Sequence, residues 1–484
     1  MHLPRLRWWY PLPLAVFLRL YDLGGQSYWT DEAITLKVAG WPLSQWIAYF
    51  KVDPHPPLYY LLAKLWLMIG SDSECWMRLL SALPAIGTVI VLSWALKRLT
   101  DEQTAFIGGL LLAINPLHIW ASQDLRGLAL CGFWLALAFA GLTRIQTTKQ
   151  HRGRGLAIAG LVLAFYTHYF SLFIIPMLLF YKDSRKAVIP AVLAFLPWLF
   201  FLVQQIGPAT SFRTTYASET DLFTAIIWAN AGHFPWLLPS WGSDLLFSLM
   251  SHGTFLYFFF ASFLVLPVIV LALISGKRNA FVLSWYFLPV FLALFGSFYI
   301  DVFSTKYTAI YVPFLMLAAA IGLAHIFSRN HFIAGILLFA VILVPGISLL
   351  DYYGNPLYRK TPWRECLPEL VSELGLNDPI LFYSATEAAD VRFYLPDDVR
   401  TIDIADDFQQ AQSMTMEQVR SKIPTDTERI ALIDLNSFSY SDVSGHIREI
   451  LYETRGEPTV DVLQPAMNVS WKIWGPPLKA SSAP

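Results

Sequence analysis

The chain has 484 residues, of which 56% are hydrophobic and 14% are charged, and its formal net charge is −1. Soluble domains carry about 25% charged residues, so this composition excludes a wholly soluble protein and predicts a polytopic membrane protein. Residues 1–350 contain 22 Lys or Arg and 14 Asp or Glu residues, whereas residues 351–484 contain 12 and 21. A basic membrane domain over 1–350 and an acidic domain over 351–484 are therefore predicted.

Apolar runs predict about eleven transmembrane helices, because a span needs about 20 apolar residues. The predicted spans are residues 9–24, 79–96, 104–121, 127–143, 155–168, 169–181, 187–204, 254–275, 280–299, 307–327 and 332–350. Of the 22 basic residues in 1–350, 14 lie in alternate loops. Loops rich in Lys and Arg are cytoplasmic, so the N-terminus is predicted to be cytoplasmic in a plasma (inner) membrane protein.

Two long loops, 25–77 and 205–250, are predicted to lie on the outer side together with the acidic domain. Within the first loop, HPPLYYLLAKLWLMIG (55–70) is apolar enough to suggest a further span. A span here would invert every later loop, so we predict an amphipathic helix at the outer membrane surface instead.

Acidic and basic side chains occur together on this predicted outer side. YWTDEAITLKVAG (28–40) places Asp31 and Glu32 directly after the first apolar segment, and Arg78, Arg126 and Lys306 come at the outer ends of later helices. A carboxylate can act as general base for an acceptor hydroxyl. Arg and Lys can hold a phosphate and stabilise the charge that develops when it leaves. A lipid-linked sugar phosphate requires both, and no nucleic-acid partner is expected.

Several short motifs resemble the GT-C glycosyltransferases of the protein O-mannosyltransferase and lipid A aminoarabinose-transferase group. The resemblance covers about residues 10–360. After the Asp-Glu pair, it is carried by DPHPPLYYLL (53–62), MRLLSALPAIGTVIVL (77–92), SQDLRGLAL (122–130), THYF (167–170) and KYTAIYVP (306–313). Two positions depart from the family pattern, since Asp124 stands in place of Glu and Lys306 stands where many members have Arg.

The resemblance implies an enzyme that takes a hexosyl or pentosyl sugar from a polyprenyl-phosphate or dolichyl-phosphate donor. It implies transfer to a hydroxyl of a glycan, lipid or protein acceptor, with inversion at the anomeric carbon and with membrane lipid around the site. Asp31 becomes the candidate base. Glu32 either positions a substrate or favours the start of the following helix through the helix dipole.

The resemblance further implies a set of donor-binding residues. Its members are Arg78, Arg126, Lys306, His55, Asp53, His168 and Tyr307. His55 precedes two prolines and either shapes the sugar site, binds a metal or caps the next helix. A divalent metal is possible, but no metal-binding motif specifies its ligands.

The acidic domain is predicted to be a small extracytoplasmic α/β domain, on a protein that is otherwise mainly α. Helices are predicted at 361–375 and 443–456, and buried strands at 379–384, 429–435 and 459–464. The domain either covers the site, selects the acceptor or serves as a packing module. Two other classes compete with the enzyme: a secondary transporter, and a non-catalytic lipid-binding membrane protein.

Overall fold

A computed structural model gives the arrangement of most of the chain. It describes residues 6–51, 53–148, 152–211, 267, 268, 270, 271, 274, 276–297, 304–354, 359–375, 377–386, 388–406, 408–435, 442–464 and 469–477. The chain divides into two compact units: unit 1 contains residues 1–24 and 38–354, and unit 2 contains residues 25–37 and 355–484. The short segment 25–37 therefore packs with the C-terminal residues, an association that the sequence analysis does not anticipate.

All the secondary-structure elements of unit 1 among its described residues are helices. Its helices are α1 (Leu12–Leu20), the end of α2 (Thr30–Gly40), α3 (Leu43–Tyr49), α4 (Leu58–Met68), α5 (Glu74–Leu99), α6 (Glu102–Ala113), α7 (Pro116–Ser122), α8 (Leu128–Thr148), α9 (Arg152–Thr167), α10 (Ile175–Phe180), α11 (Lys182–Phe195), α12 (Leu199–Ser211), α13 (Lys277–Ser297), α14 (Val312–Arg329) and α15 (His331–Gly354). Short 3-10 helices cover Tyr169–Ile174, Leu196–Trp198 and Thr305–Ile310.

Six helices among the described residues are long and apolar enough to cross a membrane. They are residues 74–99, 128–147, 182–205, 278–297, 312–329 and 331–354, and a bent pair of helices makes up to seven. The protein is thus an integral membrane protein, and its mainly α fold is confirmed. The predicted count of eleven stays a prediction. Loop 205–250 and span 254–275 lie almost wholly outside the described residues.

The span predicted at 104–121 is wrong as a single helix, because the chain breaks between α6 and α7. The two helices meet at 60°. Asn115 accepts a hydrogen bond from the His118 backbone N–H at 2.9 Å, and Pro116 follows at the first position of α7. An Asn N-cap followed by Pro is a strong helix start, so the local sequence favours a new helix over continuation of the old one.

Buried polar side chains stabilise this break. The Arg19 guanidinium, at the end of α1, donates to the carbonyl oxygens of Leu112 at 3.0 Å and Ala113 at 2.9 Å, which end α6. In return, the Gln123 amide donates to carbonyl oxygens at the end of α1, including that of Tyr21 at 2.8 Å. The last carbonyl groups of α6 and of α1 thus obtain partners from side chains at the ends of α1 and α7. The segment after α7 is thereby held in place.

Small residues allow α8 and α9 to approach closely in the core of unit 1. A Cβ atom added at Gly141 would lie 2.6 Å from the Gly153 carbonyl oxygen, and one added at Gly160 would lie 2.5 Å from the Trp134 carbonyl oxygen. Small residues at such contacts are typical of helices that pack within membranes. This contact fixes the end of α9, which carries His168.

Unit 2 contains a mixed five-stranded sheet with helices on both faces. Its strands are β1 (Ile380–Ser384), β2 (Thr401–Ala405), β3 (Ile430–Leu435), β4 (Val460–Gln464) and β5 (Val469–Trp474), in the order β2-β1-β3-β5-β4. β1 pairs in parallel with β2 and β3, whereas β5 is antiparallel to β3 and β4. Its helices after residue 355 are α16 (Trp363–Ser372), α17 (Ala388–Tyr394), α18 (Phe408–Ser413), α19 (Met416–Lys422) and α20 (Asp442–Arg455).

Alternate side chains along the strands contribute to two separate hydrophobic cores, one on each face of the sheet. Leu381 and Leu432 pack on the face covered by α18, α19 and α20, while Phe382 and Ile433 pack on the face covered by α16 and α17. Successive strand residues point to opposite faces, so a strand buried on both sides is apolar throughout. The small α/β domain predicted from the sequence is confirmed.

Candidate functional site

The HPPL segment of unit 1 forms a tight turn that presents two polar side chains. The His55 backbone N–H donates to the Asp53 carbonyl oxygen at 2.9 Å, and α4 begins at Leu58, directly after Pro57. Prolines on both sides of His55 restrict the backbone here. Asp53 and His55 are consequently side by side, and their side chains are 12% and 19% exposed.

Two hydrogen bonds indicate which nitrogen of the His55 imidazole carries the ring hydrogen. Its Nε2 lies 3.1 Å from Nη2 of Arg126, and its Nδ1 lies 3.2 Å from Oδ1 of Asp53. A guanidinium only donates, so Nε2 must accept, which places the ring hydrogen on Nδ1, where it donates to Asp53. The imidazole therefore bridges a carboxylate and a guanidinium.

The Tyr60 side chain binds the second carboxylate oxygen of Asp53. The Tyr60 hydroxyl, in the first turn of α4, donates to Oδ2 of Asp53 at 3.1 Å. Tyr60 is itself 3% exposed, and its hydroxyl lies 3.4 Å from that of Tyr49. Both carboxylate oxygens of Asp53 are thus engaged, which fixes the orientation of the acceptor that His55 uses.

Arg126 lies in the short connection between α7 and α8. Its carbonyl oxygen accepts from the Ser81 hydroxyl at 3.2 Å, and Ser81 is 2.8 Å from the Tyr59 hydroxyl. The Arg126 backbone is therefore attached to α5, and through Tyr59 to α4, while its guanidinium contacts His55. An arginine with a fixed backbone and an oriented head can present its charge in one direction.

Three more predicted residues extend this cluster. The His168 ring lies 5.8 Å from the His55 ring and 4.8 Å from the Tyr307 ring, and Lys306 Nζ lies 5.8 Å from the Tyr307 ring centroid. His168 directly follows α9, and its Nδ1 accepts the Phe170 backbone N–H at 3.1 Å. The His55 cluster consists of these residues and their neighbours: Asp53, His55, Arg126, His168, Lys306 and Tyr307.

Arg78 makes a different contact. It lies in the second turn of α5, is only 2% exposed and donates to the Leu23 carbonyl oxygen at 3.1 Å. This contact joins α5 to the chain beyond α1. A phosphate-binding role for Arg78 stays a prediction.

Asp31 and Glu32 lie in the first turn of α2 and belong to unit 2. Asp31 is half-buried, whereas the Glu32 side chain is fully buried and its Oε2 lies 2.9 Å from Nζ of Lys360. The same oxygen accepts the Trp29 backbone N–H at 3.4 Å. The two adjacent carboxylates thus differ in burial.

Several residues in these contacts were not predicted. Tyr60, Ser81 and Lys360 have no motif that marks them, and their partners are distant in the fold or in the chain. Tyr59 and Tyr60 lie in the segment 55–70, which the sequence analysis places at the membrane surface.

No group of three or more His, Cys, Asp or Glu side chains within the described parts of the chain could hold a metal ion. In the His55 cluster, the Nε2 lone pair of His55 is occupied by the Arg126 hydrogen bond.

Comparison with known proteins supports the predicted resemblance. Residues 54–206 match the family of dolichyl-phosphate-mannose-protein mannosyltransferases. This range includes His55, Arg78, Arg126 and His168. A search of curated protein sequences finds no significant relative.

Solved structures show the same architecture at low sequence identity. The crystal structure of ArnT from Cupriavidus metallidurans bound to undecaprenyl phosphate has a TM-score of 0.56 and 12% identity, and covers 96% of this chain and 97% of that one. This chain therefore shares the fold of that protein.

An archaeal oligosaccharyltransferase also has a similar fold. AglB from Archaeoglobus fulgidus, in complex with an inhibitory peptide and a dolichol-phosphate, has a TM-score of 0.54 and 12% identity, covering 98% of this chain and 74% of that one. The resemblance inferred from the short motifs is therefore confirmed.

Proposed function

We propose that the protein is an inverting glycosyltransferase that moves a hexosyl or pentosyl sugar from a polyprenyl-phosphate donor to an acceptor hydroxyl. The reaction would take place at the outer face of the plasma (inner) membrane. Residues 1–350 would form the transmembrane catalytic domain, and residues 351–484 an extracytoplasmic domain. The acceptor would be a glycan, a lipid or a protein.

The observation that carries this proposal is the hydrogen bond by which His55 holds the Arg126 guanidinium in a fixed direction. Asp53 holds the other nitrogen of the His55 ring, so the direction of the guanidinium depends on both residues. An oriented guanidinium is well suited to recognise a phosphate through two parallel hydrogen bonds.

The chemical step follows from these groups. The acceptor oxygen attacks the anomeric carbon, and the bond between that carbon and the phosphate oxygen breaks. The bonding electron pair leaves with the polyprenyl phosphate, whose growing negative charge Arg126 and Lys306 stabilise. The acceptor proton passes to the Asp31 carboxylate. Attack opposite the leaving phosphate inverts the anomeric centre.

The other members of the His55 cluster would shape the space for the donor. His168 and Tyr307 present a ring pair 4.8 Å apart that can contact the sugar or the first lipid unit. Asp53 would act by orienting His55, and His55 by orienting Arg126. Arg78 is retained as a further phosphate-binding candidate on the strength of the resemblance alone.

Binding of the donor lipid tests the phosphate assignment. The purified full chain would be studied by native mass spectrometry with undecaprenyl phosphate, for the wild type, Arg126→Ala and Arg329→Ala. Arg329 is an exposed residue at the end of α14 and serves as a matched loss of one positive charge. A hydrogen bond to a charged group contributes about 1.5–3 kcal/mol, which corresponds to about 10–100-fold in affinity.

The expected result is undecaprenyl phosphate binding that weakens about 10–100-fold in Arg126→Ala and is unchanged in Arg329→Ala. Equal binding by all three proteins would show that the lipid is held through its tail alone. The phosphate assignment would then be wrong.

A further inference from the structure

The segment that carries Asp31 is part of unit 2, although more than 300 residues separate it from the rest of that unit. The Tyr28 backbone N–H donates to the Tyr394 hydroxyl at 2.6 Å, and the Tyr28 ring meets the Phe393 ring edge-on at 5.1 Å. Both partners lie at the end of α17. The start of α2 is thus packed against the C-terminal domain.

One ion pair lies next to Asp31 itself. Glu32 and Lys360 are 2.9 Å apart, and their side chains are 0% and 15% exposed. Breaking such a buried pair by removing one partner leaves an uncompensated charge, which is strongly unfavourable. The pair therefore favours a single position of α2 relative to residue 360.

The first helix of the C-terminal domain depends on the same segment. α16 follows Pro362, which provides no side-chain cap. Its Arg364 backbone N–H instead donates to the Ser27 hydroxyl at 3.2 Å, and the Lys360 backbone N–H donates to Oε1 of Gln26 at 3.0 Å. The first N–H groups of a helix have no partner within it, so Ser27 supplies the missing acceptor.

A buried carboxylate joins the two ends of this arrangement. Asp390, on α17, accepts from the Thr30 hydroxyl at 3.3 Å and from the Trp363 indole N–H at 3.0 Å. Thr30 is the residue before Asp31 and opens α2. Contacts therefore flank Asp31 on both sides along the chain, at Thr30 and at Glu32.

We propose that the C-terminal domain is the positioning element of Asp31, and that Glu32 is a positioning residue that acts through Lys360 rather than a second base. The catalytic half of this proposal, that the positioned Asp31 takes part in the reaction, rests on the proposed function. The anchoring half, that unit 2 holds the segment around Asp31 in place, rests only on the contacts within unit 2. A domain whose role was left open between cover, acceptor selector and packing module thereby acquires a defined task in the reaction.

Hydrogen exchange and kinetics on the full chain separate the two halves. The variants are Lys360→Met, Lys360→Arg, Glu32→Lys and the exchanged pair Glu32→Lys/Lys360→Glu. Lys472→Met is the matched control, because it removes another Lys–carboxylate pair of the same domain, that with Asp461 between β4 and β5. Exchange is read in peptides that cover residues 28–37, transfer is read as kcat, and donor binding is read by native mass spectrometry.

We expect faster exchange over 28–37 in Lys360→Met, with kcat reduced about 100-fold and undecaprenyl phosphate binding unchanged, because misplacement by about 1 Å has effects of this size. Lys360→Arg and Lys472→Met should resemble the wild type, and the exchanged pair should be more active than Glu32→Lys alone. If Lys360→Met fails to fold, Lys360→Arg and the exchanged pair still test the pair.

Unchanged exchange over 28–37 in Lys360→Met would overturn the anchoring role. An exchanged pair no more active than Glu32→Lys would overturn the positioning role of Glu32. A wild type that transfers sugar from no polyprenyl-phosphate donor would refute the proposed function and with it the catalytic half. The exchange data would still decide whether the domain holds the segment.

Discussion

Substitutions at Asp53 test whether this residue acts through geometry or through its charge. Asp53→Ala removes the acceptor of both the His55 Nδ1–H and the Tyr60 hydroxyl. Asp53→Asn keeps an oxygen for His55, and its amide N–H can donate to the Tyr60 hydroxyl, which also accepts. The two variants therefore separate loss of orientation from loss of charge.

The structure sets the expected magnitudes. In Asp53→Ala, each group left without its acceptor costs about 1–3 kcal/mol of stability. The freed imidazole no longer orients Arg126, so kcat should fall about 100-fold. In Asp53→Asn, only the charge assistance is lost, about 1 kcal/mol, which corresponds to about 5-fold in rate.

The assay is steady-state release of polyprenyl phosphate by the purified full chain, with thermal unfolding measured in parallel. Tyr60→Phe serves as a control, since it removes one hydrogen bond to Asp53 and leaves the contact with His55 in place. A rate for Asp53→Asn as low as that for Asp53→Ala would refute the orientation argument. Asp53 would then have to act through its charge, as a base would.

Three further substitutions have defined outcomes. Asp31→Asn should keep the unfolding temperature and donor binding of the wild type while transfer falls about 10²–10⁴-fold, the usual contribution of a general base. Burial raises the pKa of Asp390 from 3.8 to about 6; the folded state thus binds its proton more tightly than the unfolded state. Stability should therefore fall by about 3 kcal/mol as pH rises from about 4 to about 6, and Asp390→Asn should remove this dependence in unfolding measurements. Arg19→Met should lower the unfolding temperature well below that of Arg98→Met, because only Arg19 is a fully buried donor to the carbonyl groups that end α6.

Local patterns predicted three strands of the C-terminal domain to within a residue. β1 and β3 are continuous apolar runs, which mark strands buried on both faces. β4 was also found, but as a buried strand, whereas it lies at the edge of the sheet and its Asp461 is exposed. β2 and β5 were missed. Thr401–Ala405 has only partly buried residues over its first three positions, and Val469–Trp474 carries polar residues between its apolar ones, so neither stands out from a loop.

The membrane unit shows the limits of hydropathy. The run at 104–121 has the length and composition of one span, but the Asn-Pro pair at 115–116 starts a second helix. A hydropathy value is an average over a window of residues, so it does not reveal a helix-capping signal that only two of those residues carry. Arg19 was visible as a charge within the first apolar segment, and only the structure shows that it binds carbonyl groups at this break.

For the candidate site, short motifs selected the residues and the structure shows which of them lie together. Six of the predicted side chains form the His55 cluster, and the resemblance was needed to select them from many charged loop residues; their roles stay predictions. The association of 25–37 with residues after 355 was beyond sequence reasoning, because Lys360 and Glu32 are 328 positions apart and no local pattern connects them.

Polyprenyl phosphate release by the wild-type protein tests the central claim most directly. The full chain would be reconstituted in liposomes with undecaprenyl-phosphate-linked sugars and a mixture of hydroxyl acceptors, and the released lipid and the anomeric configuration of the product would be measured. The account predicts release that depends on acceptor, an inverted product and a rate lowered about 10²–10³-fold in Arg126→Ala. Uptake of a solute without any release of undecaprenyl phosphate would contradict it and would identify a transporter instead.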